Sequence, residues 1–266
     1  MNILESIMAE RRADVAASKV AVPPTELEAM AAGRAHHSLR RRLAECSGTA
    51  IVAEIKKASP SAGLLRPEYD PAGIASAYET SGAAGISILT EPRHFLGGAA
   101  HLRAVRAVVQ LPILRKDFIC DPYQMLEAAA WGADVVLLIV AALGRGEMRD
   151  LHAAAVGYGL EVLVESHSAA ELDAAMELED AILGVNSRNL KTLRTDLAVA
   201  REISELLPAG RQAIAESGIH SRADVESLEQ WGYSGFLVGE TLMKNSDPGE
   251  RLRELLGAKG PETIAR

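Results

Sequence analysis

The sequence predicts an α/β protein folded as a single (β/α)8 (TIM) barrel with an N-terminal helical extension. Three observations carry that prediction: eight short aliphatic runs recur along the chain, Ala/Leu/Glu-rich helical stretches separate them, and the spacing averages roughly 26 residues per unit. The chain has 266 residues, 48% of them hydrophobic and 24% charged, enough to fill one large core. A doubly wound open sheet competes, but AEIKKASPSAG follows the first run where a G-x-G-x-x-G fingerprint belongs.

Residues 1–46 precede the first strand and read as helices, with Ile3, Leu4, Ile7 and Met8 at helical spacing and Pro23-Pro24 breaking the segment before Thr25. This is an N-terminal cap. Its basic cluster GRAHHSLRRR (33–42) lacks interleaved aromatics and reads as a solvated helix face. The strands are expected at IVAEI (51–55), GISIL (85–89), PILRK (112–116), DVVLLI (134–139), LEVLVE (160–165), AILGVN (181–186), QAIAES (212–217) and GFLVG (235–239). Helical patterns such as DPAGIASAYETSG, DPYQMLEAAAWG, SAAELDAAMELE and SRADVESLEQWG open on Asp or Ser as N-caps, and several stop at Gly. GAKGPETIAR (257–266) reads as a frayed tail. The expected domain is therefore 1–266, one barrel with 1–46 as its cap.

The formal net charge of -8 disfavours a nucleic-acid footprint, yet leaves room for a local basic pocket that holds an anionic substrate. MNILESIMAERRADV lacks the basic start and continuous apolar stretch of a signal peptide, and no run is long enough to span a bilayer. No membrane partner and a cytoplasmic location are expected. Cys46 and Cys120 lie far apart without CxxC spacing, so they read as free thiols rather than a disulfide or zinc site.

In a barrel of this kind, chemistry gathers on the loops leaving the C-terminal strand ends. The period of two puts Glu54 and Lys56 on one face of the first strand, with Ala53 and Ile55 toward the helices. Lys116 shares a face with Leu114 and points into the mouth, while Arg115 points away. Glu165, Asn186 with Arg188 just beyond, and Glu216 end three further strands. Each alone is more simply a solvated strand end or a structural ion pair. Together, lysines among carboxylates in a partly desolvated mouth perturb one another's pKa values, as acid and base catalysis near neutral pH requires. AESGI (215–219) and FLVGETLM (236–243) each leave a strand through a glycine, letting backbone N–H groups approach a phosphate at the seventh and eighth loops, and Ser59 reaches the same anion from the first. SPSAGLLRPEYD, with Gly63 inside it, is the candidate mobile lid.

The segments AEIKKASPSAG, SILTEPRHFLGG, LPILRKDF, DVVLLIVAAL, VLVESH, GVNSRNLKTL, IAESGI and FLVGETLM occur in this order, and over residues 1–256 the chain resembles the indole-3-glycerol phosphate synthase family. The resemblance implies a carboxy-lyase reaction of tryptophan biosynthesis. In it, 1-(2-carboxyphenylamino)-1-deoxyribulose 5-phosphate closes its ring with loss of carbon dioxide and water. It further implies Lys116 as the general acid, Lys56 as holder of an anionic part of the substrate and helper in dehydration, Glu54 beside it, and Glu165 as proton acceptor or stabiliser of the aniline nitrogen. Asn186 and Arg188 position the substrate, Glu216 supports the lysines, and Phe95 and Phe118 flank the aromatic ring. Ser217, Gly218 and Gly239 match the phosphate loops, where Glu240 replaces a serine and leaves only its backbone N–H for phosphate. His167 suggests a metal, but the other histidines are scattered and the chemistry needs no Lewis acid, so neither metal nor cofactor is expected. The expected partner is the small phosphorylated substrate of a monomer, associating at most weakly with other tryptophan-pathway enzymes. A class I aldolase with Lys116 as Schiff-base nucleophile, and a catalytically silent phosphate-binding barrel, are the competing functions.

Overall fold

The computed structural model describes residues 3–190 and 192–257, so the expected tail beyond Gly257 lies outside the described residues. The extension forms α1 (Ile3–Ala21), α2 (Pro24–Ala31) and α3 (Leu39–Glu45). Pro24 is the first residue of α2, where a missing N–H costs nothing. The chain then runs β1 (Ile51–Ile55), β2 (Ala58–Ser59), β3 (Gly63–Leu64), α4 (Pro71–Thr80), β4 (Gly85–Leu89), α5 (Ala99–Arg106), β5 (Ile113–Lys116) and α6 (Tyr123–Trp131). It continues as β6 (Val135–Ile139), α7 (Arg145–Gly157), β7 (Glu161–Ser166), α8 (Ala169–Met176), β8 (Ile182–Asn186) and α9 (Ala198–Ser204). The last elements are β9 (Ala213–Glu216), α10 (Arg222–Gln230), β10 (Gly235–Val238), α11 (Glu240–Met243) and α12 (Pro248–Leu256).

All strands except β2 and β3 pair in parallel into a closed barrel, in the order β1-β10-β9-β8-β7-β6-β5-β4. Its strands are near-continuous aliphatic runs because both faces are buried. Ala53, Ile55, Ile86, Ile88 and Val136 point outward into the layer between strands and helices, whereas Val52, Leu114, Leu137, Leu163 and Ile214 fill the interior. The expected strands stand within a residue at each end. Asp70, Ser168 and Ser221 cap α4, α8 and α10 through their side chains, but α6 takes Pro122 as its N-cap, with Asp121 instead accepting from the N–H of Tyr123. At the start of SPSAGLLRPEYD, β2 and β3 form a small antiparallel hairpin, and Gly63 enters β3 with φ of 66°.

The extension closes both ends of the barrel. At the bottom, Leu39 and Leu43 of α3 pack into the interior cluster, and Gly235 leaves the space, since a Cβ there would stand 2.8 Å from Leu43. Glu161 receives the backbone N–H groups of Leu39 at 2.9 Å and Arg40 at 3.0 Å, satisfying donors at the start of α3. The basic cluster is only partly a solvated helix face: Arg34 bonds the carbonyls of Ala133, Tyr158 and Gly159, whereas Arg40, Arg41 and Arg42 are exposed on α3. At the top, α1 is tied down by the ion pairs of Arg12 with Glu147 at 2.9 Å and Lys19 with Asp121 at 2.7 Å, and by the contact of Glu10 with His94 at 2.9 Å. Among the described residues no helix is long and apolar enough to cross a membrane.

Candidate active site

Register decides which side chains meet at the mouth. Leu89 pairs with Lys116, Ile139 with Glu165 and Asn186 with Glu216, so these polar residues share one layer at the C-terminal strand ends. Lys116 Nζ stands 2.5 Å from Glu216, 3.4 Å from Glu165 and 4.0 Å from Glu54. Glu54 in turn binds Lys56 Nζ at 2.6 Å, so one carboxylate bridges two ammonium groups. Asn186 accepts the backbone N–H of Arg188 at 2.9 Å and helps to lower the pKa of Glu165. Two glycines make room: a Cβ on Gly184 would lie 2.6 Å from Glu216 Oε1, and one on Gly239 would collide with the Glu54 carboxylate.

Burial and charge act against each other throughout this cluster. Burial disfavours the Lys116 ammonium, but Glu216, Glu165 and Glu54 outweigh it and hold its pKa above the usual lysine value. Burial also opposes ionisation of Glu54, yet Lys56 and Lys116 keep it below the usual carboxylate range. For Glu165, burial is overcome by Lys116, then by His167 and Asn186, and its pKa is lowered. Glu216 goes the other way: burial dominates over Lys116, Glu165 and Glu54 add to it, and its pKa rises to about 7. The cluster thus holds an ammonium that can give a proton, beside carboxylates of opposite inclination to take one.

A cavity of about 150 Å³ opens over this cluster. Phe95 and Phe118 line it with ring centroids 6.0 Å apart and planes at 41°, so they form one apolar wall rather than facing each other across a gap. Ser59 is buried in β2, its hydroxyl 3.3 Å from Ser61 and 3.2 Å from the N–H of Ala62. Ser217 and Gly218 are consecutive positive-φ residues, at 66° and 79°, on the loop leaving β9. For serine that conformation is strained, and such strain gathers at ligand clamps. Gly239 sits beside them, at the exit of the neighbouring β10. Glu240 turns its carboxylate to Arg188 at 3.1 Å and Lys244 at 2.7 Å, so it occupies the guanidinium that an incoming anion would seek. Every residue expected at the site therefore lines one cavity except Glu216, which supports it from beneath Lys116.

Other contributors escape sequence patterning. Ile3, Leu4 and Ile7 of α1 line the cavity, making the extension part of the site. Arg115 is fully buried on the outward face, 2.9 Å from Asp117 and 3.0 Å from Glu127, with Trp131 4.2 Å beneath its guanidinium. Asp117 also accepts from Arg11 of α1 at 2.8 Å and Thr90 at 2.7 Å. Buried Glu91 takes the N–H groups of Arg93, His94 and Phe95, shaping the loop that presents Phe95. The signal available was an arginine and an aspartate two apart on a strand face that the helices must cover, where charge requires partners. His167 stands between Glu165 and Glu171, and among the described residues no group of three or more His, Cys, Asp or Glu could hold a metal ion.

The sequence model of the family described as Indole-3-glycerol phosphate synthase matches residues 4–255. A protein of that name from Aromatoleum aromaticum is 47% identical over 260 residues, covering 96% of this chain and 99% of its own. One from Rhodospirillum rubrum is 44% identical over 261 residues, covering 96% and 99%. Among solved structures, a thiamine phosphate pyrophosphorylase from Pyrococcus furiosus superposes with a TM-score of 0.58 at 18% identity, over 82% of this chain and 96% of that one, a likeness of fold alone. Matched along nearly its whole length, and almost half identical to proteins that bear the name, the chain belongs to the indole-3-glycerol phosphate synthase family.

Proposed function

We propose that this cavity converts 1-(2-carboxyphenylamino)-1-deoxyribulose 5-phosphate to indole-3-glycerol phosphate, carbon dioxide and water, a carboxy-lyase step of tryptophan biosynthesis. The observation that carries the reading is Lys116, an ammonium held charged among Glu216, Glu165 and Glu54 at the floor of the cavity. As the ring carbon attacks the ketone, Lys116 delivers a proton to the oxygen that would otherwise become an alkoxide. Loss of carbon dioxide restores the aromatic ring. The new hydroxyl then leaves as water, pushed out by the ring nitrogen, and the CH2 beside that nitrogen gives up the proton whose loss completes the indole ring; Glu165, ionised and on the same rim, receives it. Lys56, paired with Glu54, holds an anionic part of the substrate and assists the departing hydroxyl. Asn186, Arg188 and Ser59 orient the substrate, the Phe95–Phe118 wall accepts its aromatic ring, and the turns at Ser217, Gly218 and Gly239 receive its phosphate.

A Schiff-base role for Lys116 is disfavoured by its raised pKa, because only a neutral amine attacks a carbonyl. Cys46 and Cys120 are free thiols, which supports a cytoplasmic location. The test mixes purified protein with the ribulose 5-phosphate substrate, with no added metal or cofactor, and follows indole fluorescence. Lys116→Met is expected to keep the fold and to cut turnover by at least about a hundredfold. Unchanged turnover would overturn the assignment.

A further inference from the structure

Glu165 divides its two carboxylate oxygens between two cations. Oε2 faces Lys116 Nζ at 3.4 Å inside the mouth, and Oε1 faces His167 Nε2 at 3.2 Å on the outer side. That second contact suits a charged pair but lies off the axis of a hydrogen bond, and Nε2 finds no other partner among the described residues. The imidazole is itself gripped from behind: Glu171 Oε2 accepts the backbone N–H of His167 at 2.8 Å and lies 3.1 Å from ring Nδ1. The ring is therefore wedged between a carboxylate at the reacting centre and a partly exposed one on the first turn of α8.

We infer that His167 is a positioning residue, an imidazolium that fixes the rotamer of Glu165 and keeps it ionised for its task as proton acceptor. The inference rests on the ring-closure reading above. Burial works against charge on the ring, but Glu165 and Glu171 together raise it to about 10, so it stays protonated through the neutral range. Those two carboxylates, on β7 and α8, are the titratable groups facing it. The turn Val140–Ala142, packed on both elements, carries only apolar side chains, and β8 contributes the uncharged Asn186, which helps to lower the pKa of Glu165. Arg145 of α7 is taken up further along α8 by Asp173 and Glu177. Without the imidazolium, Glu165 keeps Lys116 as its one cationic partner, and that partner is shared with Glu216 and Glu54.

The test uses the full chain and its indole-forming assay across pH, comparing parent, His167→Gln and Glu171→Gln. Removing the cation lets Glu165 protonate more readily, so His167→Gln is expected to lose on the order of tenfold more kcat at about pH 6 than at about pH 8.5, with KM within about twofold. Glu171→Gln keeps the ring and an acceptor while removing a counter-charge, so its profile shifts the same way by less. It decides the matter if His167→Gln does not fold. A parent that forms no indole product removes the ring-closure reading itself. An active parent whose pH profile neither substitution moves overturns the role of His167 alone.

Discussion

Lys116 and Glu216 meet at 2.5 Å, yet both are shifted upward on the pH scale. An ammonium ordinarily lowers the pKa of a carboxyl group beside it. Here burial prevails, Glu165 and Glu54 add their repulsion, and Glu216 Oε1 finds no hydrogen-bond partner among the described residues. Glu216 is therefore the group in the cluster whose protonation changes near neutral pH, and it touches the proposed acid directly.

This arrangement fixes a stability trend. The pKa of Glu216 rises from 4.5 to about 7 on folding, so the fold favours its protonated form, and its contribution to stability is lost as pH climbs through that interval. Glu216→Gln removes the titration but retains an acceptor for Lys116. Relative to the parent, the variant is expected to gain roughly 2 kcal/mol of stability between about pH 5 and about pH 8. Urea unfolding at the two pH values measures this, and a parent that gains more than the variant would contradict it.

Arg11 links the extension to the residue after Lys116. Arg11→Met removes one of four donors on buried Asp117, leaving Arg115, Thr90 and the backbone N–H of Phe118. The expected loss is about 2 kcal/mol of stability. Because α1 carries Ile3, Leu4 and Ile7 into the cavity, KM for the substrate should also rise severalfold. Denaturant midpoints and steady-state kinetics report the two effects separately.

Glu240 holds the guanidinium of Arg188 and is kept below its usual pKa by its hydrogen bond from Lys244, against burial, with Arg188 contributing. Substrate phosphate must share or displace this carboxylate. Glu240→Ser is expected to lower KM for the phosphorylated substrate, and the inhibition constant of inorganic phosphate, by about twofold to tenfold. Weaker phosphate inhibition in the variant would show that Glu240 orders Arg188 rather than competing for it.

Gly184 is the smallest change with the largest reach. Its missing Cβ is the space that Glu216 Oε1 occupies, at 2.6 Å from where that atom would stand. Gly184→Ala is expected to displace Glu216, and Lys116 with it, cutting kcat on the order of tenfold or more while far-UV circular dichroism stays unchanged. A fully active variant would mean that Glu216 need not sit where it does.

The barrel was legible because its strands are apolar on both faces and its helices announce their caps, as Asp70, Ser168 and Ser221 do. The rim residues were legible for a related reason. In strands this apolar, the period of two leaves Glu54, Lys116 and Glu216 no outlet except the mouth. What stayed hidden depends on partners distant in sequence. Asp117, the partner of Arg115, meets Arg11 more than a hundred residues away, and nothing local marks a buried arginine apart from the company it keeps. Arg34 is hidden likewise, since main-chain carbonyls are acceptors that no side-chain pattern reveals. The roles drawn from the strand ends are the proposals that the substitutions above put to the test.

The clamps on α1 also set an order of assembly. The helix leaves the ribosome before its partners His94, Asp117, Asp121 and Glu147, and one neighbour of β1 in the sheet is β10, synthesised after every other strand of the barrel. This helix is thus seated only after the segments that hold it have been made. Until the chain has emerged as far as Glu147, the apolar stripe of Leu4, Ile7 and Val15 has no completed surface to cover it, and until β10 arrives β1 has only one neighbour.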